Sequence, residues 1–318
     1  MALERILVVG GTRFLGKRVV ERLAAEGTDV TVLSRRRTDL GKGINLVCGE
    51  RVQGLHMLAG QRFDVVLDFI CYDGDGPNQV LEHIATSRYV MISSSWVPRL
   101  WSGNQADELC PGNISLTNPG LSPITNEYLS GKIRAEWSVA ALRRKGFDAV
   151  SLRLPIILGD GDHTGRLDFY CSRFSDNRPV IVVDGGSNKV QIAWVEDMAK
   201  AITYWIKRVD IGEFPIWEGL PDGGQTVKSI LLKIAKAVSH FSPTLVDVPA
   251  GELAARLPDY LAEEPLWRET ALGVTQANLF ASIQLTPTDL SSWVSGLTMS
   301  YHRMSAHRCE ELIFLENR

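Results

Sequence analysis

The stretch GGTRFLG, running from Gly10 to Gly16, offers the first chemistry in the chain. Gly10, Gly11 and Gly16 remove side chains from a turn that lies between an apolar run and an amphipathic segment. In that setting backbone N–H groups at a helix N-terminus can approach a pyrophosphate, so the turn, with Thr12, Phe14 and Leu15 in it, reads as a dinucleotide cradle. A glycine-rich turn also serves simply to reverse a chain, and the residues alone leave that alternative open. Arg13 is the odd member, since a dinucleotide loop normally repeats glycine in its middle. Further on, Ser34, Arg35 and Arg36 follow a second apolar run. An NAD-binding unit carries Asp or Glu there to accept hydrogen bonds from the ribose 2′-OH. Guanidinium groups instead donate charge-assisted bonds in pairs, which suits a 2′-phosphate. A solvated basic turn is the plainer alternative.

These residues need a frame to hold them. RILVVGG is a continuous apolar run bounded by glycine, the mark of a strand buried on both faces of a parallel sheet. LGKRVVERLAAEG then places Leu15, Val19, Val20 and Leu23 at helical spacing, with Gly27 where a helix ends. DVTVLSRR completes a βαβ unit. Further strands are predicted at FDVVLDFIC, RYVMISS and DAVSLRLPIIL, with helices at PNQVLEHIAT and from about Leu129 to Lys145. This alternation predicts an α/β fold, a doubly wound parallel sheet. After Gly159 the pattern turns irregular, although WVEDMAKAITYWIKR and TVKSILLKIAKAVS both read as helices. The expected organisation is a dinucleotide-binding domain over residues 1–160, joined by about 192–215, with a smaller C-terminal lobe from 161–191 and 216–318. That lobe is expected over the carboxyl ends of the strands, where ligands bind in such sheets.

Composition narrows the setting. The chain has 318 residues, 45% hydrophobic and 22% charged, enough to bury a substantial core. Its formal charge of -3 and the absence of any run of five like charges imply no sequence-wide attraction to nucleic acid or anionic lipid. The N-terminal MALERILVVGG reads as neither a signal peptide nor a membrane span. Cys48, Cys71, Cys110, Cys171 and Cys309 are scattered, odd in number and without a CxxC pair, so neither a zinc site nor a disulfide framework is expected. Reduced thiols in the cytoplasm are the simplest account. The eight tryptophans are read as filling cores and interfaces.

Five stretches stand in a familiar order and spacing: GGTRFLG, ISSS, YLSGK with a following AE, LRLPIILGDGD and WVEDMAKAI. Over residues 4–215 the chain resembles the extended short-chain dehydrogenase/reductases, the NAD(P)-dependent epimerase/dehydratase family. The resemblance implies a Rossmann sheet with a C-terminal substrate lobe, and it makes Tyr128 and Lys132 the YxxxK pair. Residues i and i+4 share a helix face, so the ammonium sits beside the phenol and favours its ionised form. Tyr128 then passes a proton to or from the substrate oxygen, while Lys132 also holds the nicotinamide ribose. The family's Ser/Thr falls on Ser94 when counted back from Val97 and on Ser95 when counted forward from the strand; Ser94 is preferred. In related NADP-dependent reductases a basic residue often stands three after the first glycine, as Arg13 does after Gly10. Arg13, Arg35 and Arg36 are therefore expected to clamp a 2′-phosphate, with NADP(H) favoured over NAD(H).

Lesser candidates complete the set. Asp68 ends the VVLD strand on the cofactor side, as a cofactor contact or as a buried aspartate capping a turn. Asp197 matches the family's VxDxA element, usually structural. His163, Arg166, Lys189 and Gln191 lie in loops leading into the substrate lobe, where polar residues contact substrate or are merely solvated. The expected function is an NADP-dependent oxidoreductase that reduces a ketone, or epimerises through a transient ketone, on a small polar or sugar-like substrate. No metal, nucleic acid or membrane partner is expected, and family precedent implies a homodimer. Dehydratases commonly carry an acidic pair after the Ser/Thr; Trp96 and Val97 stand here instead, which disfavours a nucleotide-sugar dehydratase. The GGTRFLG form of the loop is also reminiscent of chloroplast RNA-binding members, so a non-catalytic RNA-binding or cofactor-sensing protein is the alternative from a different class.

Overall fold

Short apolar runs flanked by polar or glycine turns become the strands of one parallel sheet. The computed structural model describes residues 5–99, 122–208, 210, 212, 216–219, 224–238, 242–263, 266, 278–290, 292 and 306–317. The first six strands are β1 (Arg5–Val9), β2 (Asp29–Ser34), β3 (Ile44–Cys48), β4 (Arg62–Asp68), β5 (Ala85–Ser94) and β6 (Ala149–Leu154). With Ile216–Glu218 they form a seven-stranded sheet in the order Ile216–Glu218, β6, β5, β4, β1, β2, β3. Every pairing in it is parallel. The order reverses between β1 and β4, which creates a crevice at their carboxyl ends where open α/β sheets take ligands.

Parallel strands carry helices on both faces, and this explains the unbroken apolar runs. Ile6, Leu7, Val8 and Val9 of β1 are all fully buried. On one face α1 (Phe14–Ala25) packs with the helix Val195–Arg208. On the other, Leu7, Val9 and Val66 join a core with residues of α2 (Arg51–Met57), α3 (Gly76–His83) and α4 (Pro123–Arg144), among them Leu55, Val80, Ala135 and Val139. Each fully buried valine or leucine adds about 1.5–3 kcal/mol of hydrophobic stabilisation.

Several elements depart from the sequence reading. DAVSLRLPIIL is two strands, β6 and Ile156–Leu158, because Pro155 between them has no N–H to give a ladder. α4 begins at Pro123 and not near Leu129: Ser122 caps it by accepting from the Thr125 amide at 3.1 Å, and proline occupies the first turn. The edge strands β3 and Ile216–Glu218 were not anticipated.

The chain divides into two compact units, residues 1–157, 195–220 and 272–286 in one, and 158–194, 221–271 and 287–318 in the other. The first contains the sheet. In the second, Val180–Val183 pairs in parallel with Leu245–Val248, and Ile181, Val183, Val248, Leu253, Tyr260 and Phe314 form a core. There the helix Arg166–Ser175 is tied to the helix Ala306–Glu316 by the buried pair of Arg173 and Glu311, 2.9 Å apart.

Candidate active site

The glycine loop leaves β1 at the sheet's reversal, since Val9 lies in register with Asp68 of β4. Gly10 adopts φ +92°, and a Cβ there would stand 2.5 Å from Ile70 Cγ2. At Gly16 a Cβ would come within 3.0 Å of the Gly11 Cα, so its absence is what lets α1 start against the turn. No side chain caps the N-terminus of α1 and no acidic residue lies in its first turn. A backbone cradle without a competing carboxylate, at the positive end of a helix, fits the pyrophosphate of a dinucleotide. Arg13 has φ -136° and ψ 153°, extended backbone open to any residue, and its side chain is exposed. The arginine therefore puts no strain on the loop's backbone. Thr12 and Ser34 share a hydrogen bond of 3.1 Å that ties the loop to the end of β2, and Ser34 Oγ also accepts from the Arg36 amide at 3.3 Å. Arg35 and Arg36 are exposed beyond it.

Asp68 is turned inward. It is fully buried, takes two bonds from Arg51 at 3.1 and 2.6 Å, one from the Tyr89 hydroxyl at 2.8 Å, and one from the Ile70 amide at 3.1 Å. Its carboxylate is committed to the protein, in keeping with the structural of its two readings.

α4 carries the YxxxK pair and presses one face onto the loop that follows β4. A Cβ at Gly131 would collide with the Tyr72 carbonyl oxygen, and Ser138 Oγ donates to the Gly74 carbonyl at 2.6 Å. Lys132, next along the helix from Gly131, is 2% exposed. Its Nζ donates to the carbonyls of Cys71 and Ile92 at 2.8 and 2.7 Å. Burial lowers the Lys132 pKa to about 8, against the opposing pull of the Asp68 and Glu136 carboxylates. Tyr128, 39% exposed, has its ring centroid 5.9 Å from that Nζ. Tyr72 is nearer: its centroid is 4.7 Å from Nζ and 6.2 Å from the Tyr128 ring. Sequence reasoning missed Tyr72. The signal available was its position in the loop after the strand that borders the switch point.

The serines at the end of β5 differ in employment. Ser93 is buried and donates to Glu136 at 2.6 Å, and Glu136 in turn is held by Arg153 through bonds of 2.9 and 2.7 Å. Ser94 Oγ accepts from the Trp96 amide at 3.2 Å, while the Ser95 amide donates to the Leu154 carbonyl at 2.9 Å. Both are half-buried.

One unit thus contains the glycine loop, the basic turn, Asp68, Ser94, Ser95, Tyr128 and Lys132. The four substrate candidates lie in the other. His163 is exposed in a turn; Arg166 donates to Thr164 at 2.6 Å; Lys189 is exposed on a short strand paired with Gln225–Thr226, and Gln191 follows it half-buried. Among the described residues no cluster of three His, Cys, Asp or Glu is placed to hold a metal, and no helix is long and apolar enough to cross a membrane.

Solved structures share this fold. An epimerase from Methanothermobacter thermautotrophicus superposes with a TM-score of 0.62 at 15% identity, covering 99% of this chain and 95% of its own. The Bordetella bronchiseptica enzyme WbmH, solved in complex with NAD+, gives 0.62 at 16% identity, covering 94% and 98%. A dTDP-glucose 4,6-dehydratase from Bacillus anthracis, also with NAD, gives 0.62 at 15%, covering 92% and 95%. In sequence, the chloroplast stem-loop binding protein of 41 kDa b from Arabidopsis thaliana is 24% identical over 220 residues, 62% of this chain but only 54% of that relative. The NAD dependent epimerase/dehydratase family matches residues 6–216, and with the sheet order and glycine cradle above, the chain belongs to that family.

Proposed function

We propose that the protein is an NADP-dependent oxidoreductase that reduces a ketone, or epimerises a carbinol carbon through a transient ketone, on a small polar or sugar-like substrate. The observation that carries this reading is the buried Lys132 ammonium, fixed by two backbone carbonyls on the same helix face as Tyr128. A bound nicotinamide dinucleotide supplies the two-electron exchange. Tyr128 gives its phenolic proton to the ketone oxygen in reduction and recovers it in oxidation. The Lys132 charge stabilises the phenolate left behind. Two of its three N–H groups are engaged by carbonyls, which leaves one for a ribose hydroxyl. Ser94, with Ser95 in reserve, donates to the substrate oxygen; His163, Arg166, Lys189 and Gln191 are the proposed substrate contacts.

Arg13, Arg35 and Arg36 support the choice of NADP(H), because all three are exposed at or beside the loop that Thr12 and Ser34 bind together. The Arg35→Ala, Arg36→Ala double variant is expected to raise the Kd for NADPH about tenfold or more, equivalent to 1.4 kcal/mol, and to leave the Kd for NADH unchanged. Fluorescence titration of both cofactors measures this; a wild-type protein that binds NADH as tightly as NADPH removes the clamp.

The stem-loop binding relative supports a second reading, RNA binding without turnover. The formal charge of -3 gives it little electrostatic footing. A screen of NADPH turnover with nucleotide-sugars and small keto compounds separates the two: no turnover together with tight RNA binding selects the second.

A further inference from the structure

The arrangement around Lys132 contains a residue that the family motifs do not account for. Tyr72 lies in the loop after β4, and that loop is locked onto α4 at three places. Its carbonyl occupies the space that a Gly131 side chain would take, the Cys71 carbonyl accepts from Lys132, and the Gly74 carbonyl accepts from Ser138. The backbone of residue 72 therefore has little freedom relative to Lys132. The face of its ring stands 4.7 Å from the ammonium, closer than the 5.9 Å of the Tyr128 ring. A cation at that range is drawn to the negative face of the aromatic ring, the more strongly where water is excluded. Lys132 is 2% exposed, whereas Tyr72 keeps 54% of its surface open.

We propose that Tyr72 is a positioning residue of the site: the face of its ring holds the Lys132 ammonium, charged and in place, beside Tyr128. The other charged and titratable groups around Lys132 are tied to partners of their own or uncharged. Asp68, on β4, is neutralised by Arg51 from α2 and bonded to Tyr89 of β5. Glu136, one turn along α4, is held by Arg153 of β6. Cys71 has its thiol pushed up to about 12, chiefly by burial, and stays uncharged. The Tyr72 phenol is itself raised, by burial first and by the Asp68 charge second, so it remains neutral and the ring keeps its electron-rich face. The Asp68 and Glu136 charges oppose the desolvation that draws Lys132 down to about 8, and the aromatic face adds to them.

The inference rests on Lys132 being a working residue, but its test does not require turnover. Lysine labelled with 13C at Cε is followed by NMR against pH, with the Lys132 signal identified by its loss in Lys132→Arg. The expected wild-type midpoint is near 8. Tyr72→Phe, which keeps the ring, is expected to titrate as wild type. Tyr72→Leu keeps the apolar cover and loses the ring face, and its midpoint is expected about one unit lower, a tenfold weaker hold on the proton. If Tyr72→Leu does not fold, pentafluorophenylalanine at position 72 reverses the ring's charge distribution at nearly the same shape and is expected to give the same downward shift. Wild-type midpoints in both Tyr72→Leu and the fluorinated protein overturn the proposal. A chain that binds neither NADPH nor NADH overturns the proposed function and leaves this titration to decide the role of Tyr72 by itself.

Discussion

Tyr128→Phe is expected to lower kcat by roughly 10²–10⁴-fold, the usual worth of one positioned proton donor. The substitution removes a single oxygen from a side chain that is 39% exposed, so packing changes little. The lost atom is the only one through which residue 128 can carry a proton. The Kd for NADPH is expected to stay within about twofold of wild type, because the cradle at Gly10–Gly16 and the basic turn at Arg35 and Arg36 do not involve the phenol. Steady-state turnover on whichever substrate the screen identifies, with a parallel cofactor titration, measures both. A Tyr128→Phe protein that retains wild-type kcat removes the proton relay and with it the catalytic reading of α4.

The second large effect concerns stability. Glu136→Ala is expected to cost about 3–5 kcal/mol, because it strands a buried arginine. The Arg153 side chain is 0% exposed and that of Glu136 1%, their closest approach is 2.7 Å, and Ser93 loses its acceptor in the same stroke. Arg153 Nη1 already lacks a hydrogen-bond partner among the described residues, so without Glu136 the guanidinium is left to the attraction of Glu218, in register with it on the neighbouring strand. Replacing both partners, Glu136→Met with Arg153→Leu, is expected to recover most of the loss, since an apolar pair of similar volume carries no desolvation penalty. Urea unfolding followed by circular dichroism compares the three proteins. A Glu136→Ala protein within 1 kcal/mol of wild type would mean that the pair stabilises nothing that water cannot replace. Because Glu136 also raises the proton affinity of Lys132, any alkaline limb in activity is expected to move to lower pH in the single variant.

How far the sequence led depends on where burial left a mark. The central strands of the sheet, such as β1 with Ile6 to Val9, are apolar on both faces and could be read directly. β3 could not, because an edge strand is half exposed, and Ile44, Leu46 and Val47 alternate with polar or open positions too briefly to stand out. The start of α4 was present as Ser122 followed by Pro123, a cap and a first-turn proline that the apolar periodicity beginning at Leu129 obscured. At the site, Gly10, Gly16, Tyr128 and Lys132 were legible because their chemistry depends on local spacing. Tyr72 was not. Its relation to Lys132 spans 60 positions of chain and exists only because Gly131 allows the loop to touch the helix. The Ser93, Glu136 and Arg153 cluster is likewise assembled from β5, α4 and β6, and nothing in the order of residues announces it.

The backbone at Arg13 has a consequence for how this protein diversifies. Gly10, at φ +92° against Ile70, tolerates no side chain, whereas Arg13, at φ -136°, accepts any. The loop therefore separates a position that the fold dictates from one that selection is free to rewrite. Charge at position 13 can be gained or lost without rebuilding the turn. If that position helps to choose the dinucleotide, as proposed, the choice can change while the scaffold stays the same.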